Sequence, residues 1–148
     1  MQVQEIMTKD VLTVRPQTTV REVAELLVSH KISGLPVVDD AGKLVGIISE
    51  GDLMSKEILP EPPAELCILG AVIYYSGLKE YQEAFARMAA NTAEQLMTKT
   101  VVTAKAYDDV SDVARLMRDR HIKRVPVLDD EGHLIGIVSR QDIVKMLL

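Results

Sequence analysis

The chain repeats itself. Met7-Thr8-Lys9 recurs as Met97-Thr98-Lys99, and the offset of 90 then holds without a gap to Met54 and Val144. About 20 of the 48 aligned positions are identical, among them Val20/Val110, Ile32/Ile122, Pro36/Pro126, Gly46/Gly136, Ser49/Ser139 and Asp52/Asp142, far above a compositional accident. Two copies are too few for a solenoid. The duplication therefore predicts two similar units packed about a pseudo-two-fold axis, with a pair of related clefts between them.

Each copy predicts the same local structure. Val11 to Val14 and Val101 to Thr103 are short runs rich in β-branched residues and read as strands. A helix follows each. In the first copy Thr19 and Glu22 form a capping box ahead of Val20, Val23, Ala24 and Leu27, which share one face at helical spacing; Asp109 leads Val110, Val113, Ala114 and Met117 in the second. Leu35 to Val38 and Leu44 to Ile48 flank Asp39-Asp40-Ala41-Gly42, and Val125 to Leu128 and Leu134 to Val138 flank Asp129 to Gly132. Both are hairpin signals, with glycine at the permissive turn position. Short closing helices follow Ser49 and Ser139, over Glu50 to about Ile58 and Arg140 to Leu147. The unit is β-α-β-β-α, and the predicted fold class is α+β.

Residues 59–92 have no counterpart in the other copy, so the predicted organisation is a first domain over 1–58, an insert over 59–92 and a second domain over 93–148. Pro60, Pro62 and Pro63 mark the start of the insert. Leu66 to Tyr75 is apolar and interrupted by Gly70, which reads as a small hairpin or a buried helical turn. Leu78, Tyr81, Phe85 and Met88 recur at helical spacing and predict an amphipathic helix over Leu78 to Ala90. The expected role of the insert is packing against the two repeats, with a dimer contact or a lid as alternatives. Cys67, the single cysteine, has apolar neighbours and no internal disulfide partner, which predicts a buried, inert thiol.

Charge narrows the partners. Twenty-two acidic side chains against 17 basic ones give a net charge of -5, which weighs against nucleic-acid binding, because that affinity comes largely from Lys and Arg neutralising phosphates. An aromatic content of 3% without Trp leaves few stacking platforms for single strands. The longest apolar run, Leu66 to Tyr75, is about half of the roughly 20 residues a spanning helix needs, and Met1 to Lys9 has no signal-peptide pattern. The expectation is a cytoplasmic protein with no membrane contact and a small-molecule or protein partner.

The repeated Gly-Ile-Ile-Ser-Glu-Gly-Asp (Gly46 to Asp52) and Gly-Ile-Val-Ser-Arg-Gln-Asp (Gly136 to Asp142) place a hydroxyl at a helix start and a carboxylate one turn later. Ser-x-x-Asp is a capping arrangement, the Ser accepting an orphan N–H and the acid lying in the first turn. The same groups suit a nucleoside phosphate: N–H groups and a hydroxyl for the phosphate, a carboxylate for the two ribose hydroxyls. Lys123-Arg124 precede Val125-Pro126, where the first copy has the neutral Ser33-Gly34. Such a pair is ordinary solvated surface, yet it becomes a phosphate's positive charge if the two copies face each other.

The Met-Thr starts, Ile32 to Asp39 (Ile-Ser-Gly-Leu-Pro-Val-Val-Asp), Ile122 to Asp129 (Ile-Lys-Arg-Val-Pro-Val-Leu-Asp) and the paired Gly-Ile-x-Ser-x-x-Asp segments resemble a tandem cystathionine β-synthase (CBS) domain pair, or Bateman module. The resemblance covers roughly three quarters of the chain, leaving out the insert. It implies a regulatory module that binds adenosyl ligands in clefts between the two domains and assembles as a disc-shaped homodimer. Carried across by position, it implies a stronger pocket with Asp142 on the ribose diol, Ser139 near phosphate, Thr18, Ile32 and Ser33 around base and sugar, Ile137 as an apolar wall, and Lys123 and Arg124 at the phosphate. The mirror pocket uses Ile47, Ser49, Asp52 and Ile122. There Asp108 stands in place of Thr18 and repels a phosphate, so the second site is expected to be weaker.

No catalytic constellation accompanies these features. His30, His121 and His133 lie at non-equivalent positions without metal-ligand spacing, and neither a Walker-type loop nor a Gly-x-Ser-x-Gly elbow is present. The expectation is a non-enzyme that needs no cofactor or metal: a sensor of AMP, ADP or ATP signalling in trans to an effector protein, with S-adenosylmethionine as the alternative ligand. The competing expectation is a constitutive dimerisation scaffold whose Ser-x-x-Asp turns are only caps.

Overall fold

The computed structural model describes all 148 residues. Helices are α1 (Val20–His30), α2 (Glu50–Met54), α3 (Leu78–Ala89), α4 (Ala93–Leu96), α5 (Val110–Asp119) and α6 (Arg140–Lys145), and strands are β1 (Gly34–Val38), β2 (Leu44–Ser49), β3 (Ala64–Ile68), β4 (Ala71–Ser76), β5 (Ala104–Lys105), β6 (Arg124–Leu128) and β7 (Leu134–Ser139). Short 3₁₀ turns cover Val3–Glu5 and Ser55–Glu57. This mixture of helices and largely antiparallel strands is an α+β fold. The chain divides into two compact units that interleave along the sequence, one of residues 1–16, 35–47 and 98–148 and one of 17–34 and 48–97.

In the first unit β6 and β7 form the predicted antiparallel hairpin, and β5 adds to β6 in parallel. Val110, Val113 and Met117, the apolar face of α5, are buried with Val125, Val127 and Val138 of the hairpin. One further member of this core comes from the start of the chain: Val3 is completely buried in it. Backbone bonds explain how it is held, since the amides of Val3 and Gln4 donate to the carbonyls of Asp108 and Ala106 at 2.9 and 2.8 Å. The segment ahead of the first repeat thus completes the hydrophobic core of the second.

The second unit contains the reciprocal arrangement. The amide of Ala93, 90 positions after Val3, donates to the Thr18 carbonyl at 2.8 Å, and that of Val20 donates to the Asn91 carbonyl at 2.8 Å. Ala93 and Leu96 are buried, as are Val23 and Leu27 on the predicted face of α1. Thr19 caps α1 as expected: its hydroxyl accepts from the Glu22 amide at 3.1 Å and its own amide donates to the Glu22 carboxylate at 2.9 Å.

Two expected strands are corrected. Only Val14 of the run Val11 to Val14 bridges a neighbour, Val37, and Val101 to Thr103 lie just ahead of the two-residue β5. β-Branched composition favours extended backbone, but a strand needs an adjacent segment to take its hydrogen bonds, and only these few residues have one.

The insert also departs from expectation. Its apolar run forms a hairpin, β3 with β4, joined through Leu69 and Gly70 at φ 51 and 81, the two left-handed residues that a tight two-residue hairpin turn requires. Every residue from 65 to 80 is exposed, Cys67 included, so the hairpin does not pack and the thiol is not buried; the expected packing falls to α3 instead, where Tyr81, Ala84 and Met88 are half-buried. The alternation that marks a strand says which side chains share a face, and here nothing covers either face. α3 follows, its C-terminal carbonyls Met88 and Ala90 accepting from Lys56 Nζ, the first at 2.8 Å.

Candidate functional site

The most convergent polar arrangement in the first unit lies where β7 becomes α6. Ser139 is the N-cap, and the Oδ2 atom of Asp142 accepts both its amide (2.7 Å) and its hydroxyl (2.8 Å), while the Asp142 amide donates back to Ser139 Oγ at 3.2 Å. The capping reading of the motif is therefore correct. Both bonds from Ser139 fall on Oδ2 of Asp142. Both residues are half-buried.

Strand register supplies the charge. Arg124 at the start of β6 pairs directly with Ser139 at the end of β7. Residues opposite each other on an antiparallel pair share a face with Cβ atoms roughly 5 Å apart. The sequence reading required the two copies to face each other for this proximity; the hairpin of the second repeat produces it alone. α6 has only six residues, so side chains rather than the helix dipole dominate the field at Ser139. Lys123 is exposed beside Arg124, and its carbonyl accepts the Arg140 amide at 3.1 Å.

Arg140 is a cation the sequence reading missed. Its guanidinium donates to the Ile122 carbonyl at 3.1 Å, which holds it against the entry to β6. The signal was present in the alignment, because the matching residue in the first copy is Glu50. Ile137 is also fixed in this unit: its amide and carbonyl pair with Thr8 at 3.0 and 2.9 Å. Thr8 and Met7 marked the repeat in the sequence, but their close approach to Gly136 was not foreseen. Ile47 pairs in the same way with Thr98, at 3.0 and 2.9 Å.

The second unit holds Thr18, Ile32, Ser33, Ser49 and Asp52. Asp52 Oδ2 accepts the Ser49 amide at 2.8 Å and the hydroxyl at 3.2 Å, and the Glu50 amide donates to the Ser33 carbonyl at 2.9 Å, the counterpart of Arg140 and Lys123. The two turns share geometry but differ in charge: Gly34 and Glu50 stand where the other copy has Arg124 and Arg140. Asp108, expected to repel phosphate at the mirror site, accepts the Lys105 amide at 2.8 Å.

One group outside the predicted set comes together in the β6–β7 turn. Ligand atoms of Asp129, Glu131 and His133 lie within 4.8 Å of one another. Asp129 Oδ1 already accepts the His133 and Glu131 amides at 2.8 and 2.9 Å, which holds its carboxyl below the usual range and explains the turn without an ion. No helix is long and apolar enough to cross a membrane.

The CBS domain model matches residues 3–58 and again 93–148. The chain is 36% identical to protein MJ1426 of Methanocaldococcus jannaschii over all of this chain and 92% of that protein. Against the chloroplastic CBS domain-containing protein CBSX1 of Arabidopsis thaliana it is 31% identical, spanning 97% of this chain but 63% of that one. Among solved structures, Arabidopsis CBSX2 in complex with AMP superposes with a TM-score of 0.77 at 30% identity, covering 99% of this chain and 95% of that one. The CBS domain pair of MJ0100 in complex with 5′-methylthioadenosine and S-adenosyl-L-methionine gives 0.73 at 29% identity, covering 99% and 95%. With two matched segments that take in most of its length, this chain belongs to the CBS domain family.

Proposed function

We propose that this protein is a non-enzymatic regulatory module that binds an adenine nucleotide of the AMP, ADP or ATP class and signals its presence to an effector protein. The observation that carries the reading is the placing of Arg124 opposite Ser139, next to the Asp142 carboxylate. A ribose diol and a phosphate need a carboxylate and a cation within one small site, and the β6–β7 hairpin with the first turn of α6 offers both. In this reading Asp142 accepts the ribose hydroxyls, Ser139, Arg124 and Lys123 meet the phosphate, and Ile137 contacts the base. Ser49 and Asp52 form a weaker second site. The domains are 1–58 and 93–148, the protein is a cytoplasmic homodimer, and no cofactor or metal is required. The AMP complex of the CBSX2 relative supports the ligand class.

Binding of S-adenosylmethionine is the second reading, favoured by the MJ0100 complex and by the neutral Ser33-Gly34 of the first copy where the second has Lys123-Arg124, a difference suited to a ligand without phosphate. Calorimetric titration of nucleotide-free protein with AMP, ATP and S-adenosylmethionine separates the two. The first reading expects AMP or ATP to bind, with Asp142→Ala weakening binding by at least about 30-fold and Arg124→Ala by about 10-fold, as for loss of charge-assisted hydrogen bonds. Loss mainly in Asp52→Ala overturns the ranking of the sites. If none of the three ligands binds folded protein, the sensor reading is wrong and the scaffold reading replaces it.

A further inference from the structure

Arg140 is a cation that the fold orients but does not neutralise. Its amide donates to the Lys123 carbonyl and its Nε to the Ile122 carbonyl, both at 3.1 Å, so two bonds fix the backbone and the side chain of this residue against the entry to β6. Both acceptors are backbone carbonyls, and Nη1 and Nη2 of the exposed guanidinium donate to nothing in the chain. Arg115 and Arg118 of α5 are held differently, each by an aspartate at 2.9 Å. An arginine tethered through Nε alone keeps its full charge, has already lost rotamer freedom, and presents the two terminal amino groups that grip a phosphate. The first copy has the opposite charge on the same backbone, since the Glu50 amide donates to the Ser33 carbonyl at 2.9 Å. Residues 122–124 and 139–142 carry three cations (Lys123, Arg124, Arg140) and one anion (Asp142), a net +2, whereas the matching 32–34 and 49–52 carry no cation and two anions (Glu50, Asp52), a net -2.

We infer that Arg140 is a specificity-determining residue that selects a di- or triphosphate chain over a monophosphate, which narrows the ligand class to ADP or ATP rather than AMP. The adenosine end of this inference rests on the nucleotide reading above, and the phosphate end on the cations alone. Asp142, the acceptor for the ribose, is bonded to Ser139, and Ser139 lies opposite Arg124, so the phosphate attached to the ribose falls between these two residues. A phosphate monoester carries about -1.5 to -2 at pH 7, which Arg124 and Lys123 match. Arg140 is then a third cation with no anion to meet. Its side chain is bonded back toward Ile122, past the Arg124–Ser139 pair at the open end of the hairpin, where a phosphate chain longer than one unit continues. The same reasoning gives the first copy no preference for a longer chain, because Glu50 stands in place of Arg140 and repels it.

Calorimetric titration of nucleotide-free protein in magnesium-free buffer, with AMP, ADP, ATP and inorganic tripolyphosphate, tests this on the unaltered chain, on Arg140→Gln and on Arg140→Glu. Gln keeps an N–H donor for the Ile122 carbonyl and removes the charge, so a purely structural role for Arg140 leaves the ratio of ATP to AMP affinity unmoved. The expected result is ATP at least about 10-fold tighter than AMP, a preference cut to less than about 3-fold by Arg140→Gln and reversed by Arg140→Glu, as for loss of a charge-assisted bond to a phosphate that AMP lacks. AMP affinity itself is expected to move less than about 3-fold in Arg140→Gln. If AMP binds as tightly as ATP, or Arg140→Gln weakens both alike, the inference is overturned and the nucleotide reading stands. Tripolyphosphate separates the two claims: if it binds, is weakened about 10-fold by Arg140→Gln, and no nucleotide binds, the nucleotide reading falls and the phosphate-chain site stands. Folded protein that binds none of the four overturns both.

Discussion

Gly136 offers the most direct test of how the first unit is built. It lies within β7 and is buried, and a Cβ added there would come 2.4 Å from Met7 Sδ, 2.9 Å from Met7 Cγ and 3.2 Å from the Thr8 carbonyl oxygen. The glycine is thus required by close approach of the N-terminal segment rather than by backbone conformation. Met7 is flexible and can swing away, but it is half-buried against the core that Val3 and Val138 share, so moving it forfeits packing. The Thr8 carbonyl is held by the Ile137 amide at 3.0 Å and yields less. Overpacking of this kind costs about 1–3 kcal/mol, offset by the roughly 0.4–1 kcal/mol that Gly→Ala gains through the unfolded chain. Urea denaturation is therefore expected to show Gly136→Ala destabilised by about 1 kcal/mol and Gly136→Val by about 2–3 kcal/mol. Met7→Ala removes the obstacle, so the double variant Met7→Ala with Gly136→Ala is expected to be more stable than the sum of the single changes by about 1 kcal/mol. Additive effects, or a neutral Gly136→Val, would refute the claim that the N-terminal segment lies tightly over β7.

Val3→Ala removes a fully buried side chain from the core around α5, and the lost transfer energy plus the cavity predict about 2 kcal/mol of destabilisation, with hydrogen exchange accelerated in α5, β6 and β7. An unaffected exchange pattern there means the N-terminal segment is not part of that core. Acid should act through two carboxyls held below their ordinary range, Asp109 by the Ser111 hydroxyl and amide and Asp129 by the His133 and Glu131 amides. Because the folded state binds their protons less readily than the unfolded chain, their contribution is complete above the usual aspartate value of about 3.9 and declines as pH falls toward the depressed folded values. Asp129→Asn, which keeps an acceptor for the turn, is expected to flatten that part of the midpoint-against-pH curve; an unchanged acid limb counts against the assignment.

Much of this protein was legible without coordinates. The 90-residue repeat, the caps at Thr19, Asp109 and Ser139, the apolar faces of α1 and α5, the Asp–Gly hairpin turns and the helix after Leu78 all follow from spacing, because each depends on residues a few positions apart. The Ser-x-x-Asp motif and the charge difference between Lys123-Arg124 and Ser33-Gly34 were equally plain in the alignment. Tertiary structure decided what periodicity does not encode. A repeat pattern reports which side of an element is apolar but not which segment covers it, so the completion of the second repeat's core by Val3, the close pass of Met7 over Gly136 and the pairing of Thr8 with Ile137 were hidden. For the same reason the apolar run from Leu66 to Tyr75 read as part of a packing element, and Cys67 as buried, when only α3 of the insert is packed and the hairpin stays uncovered. The neighbourhood of Ser139 combined both kinds of information. Its residues came from the sequence, and the hydrogen-bonded register of β6 against β7, fixed between positions 15 residues apart at Arg124 and Ser139, brought the cation to the hydroxyl.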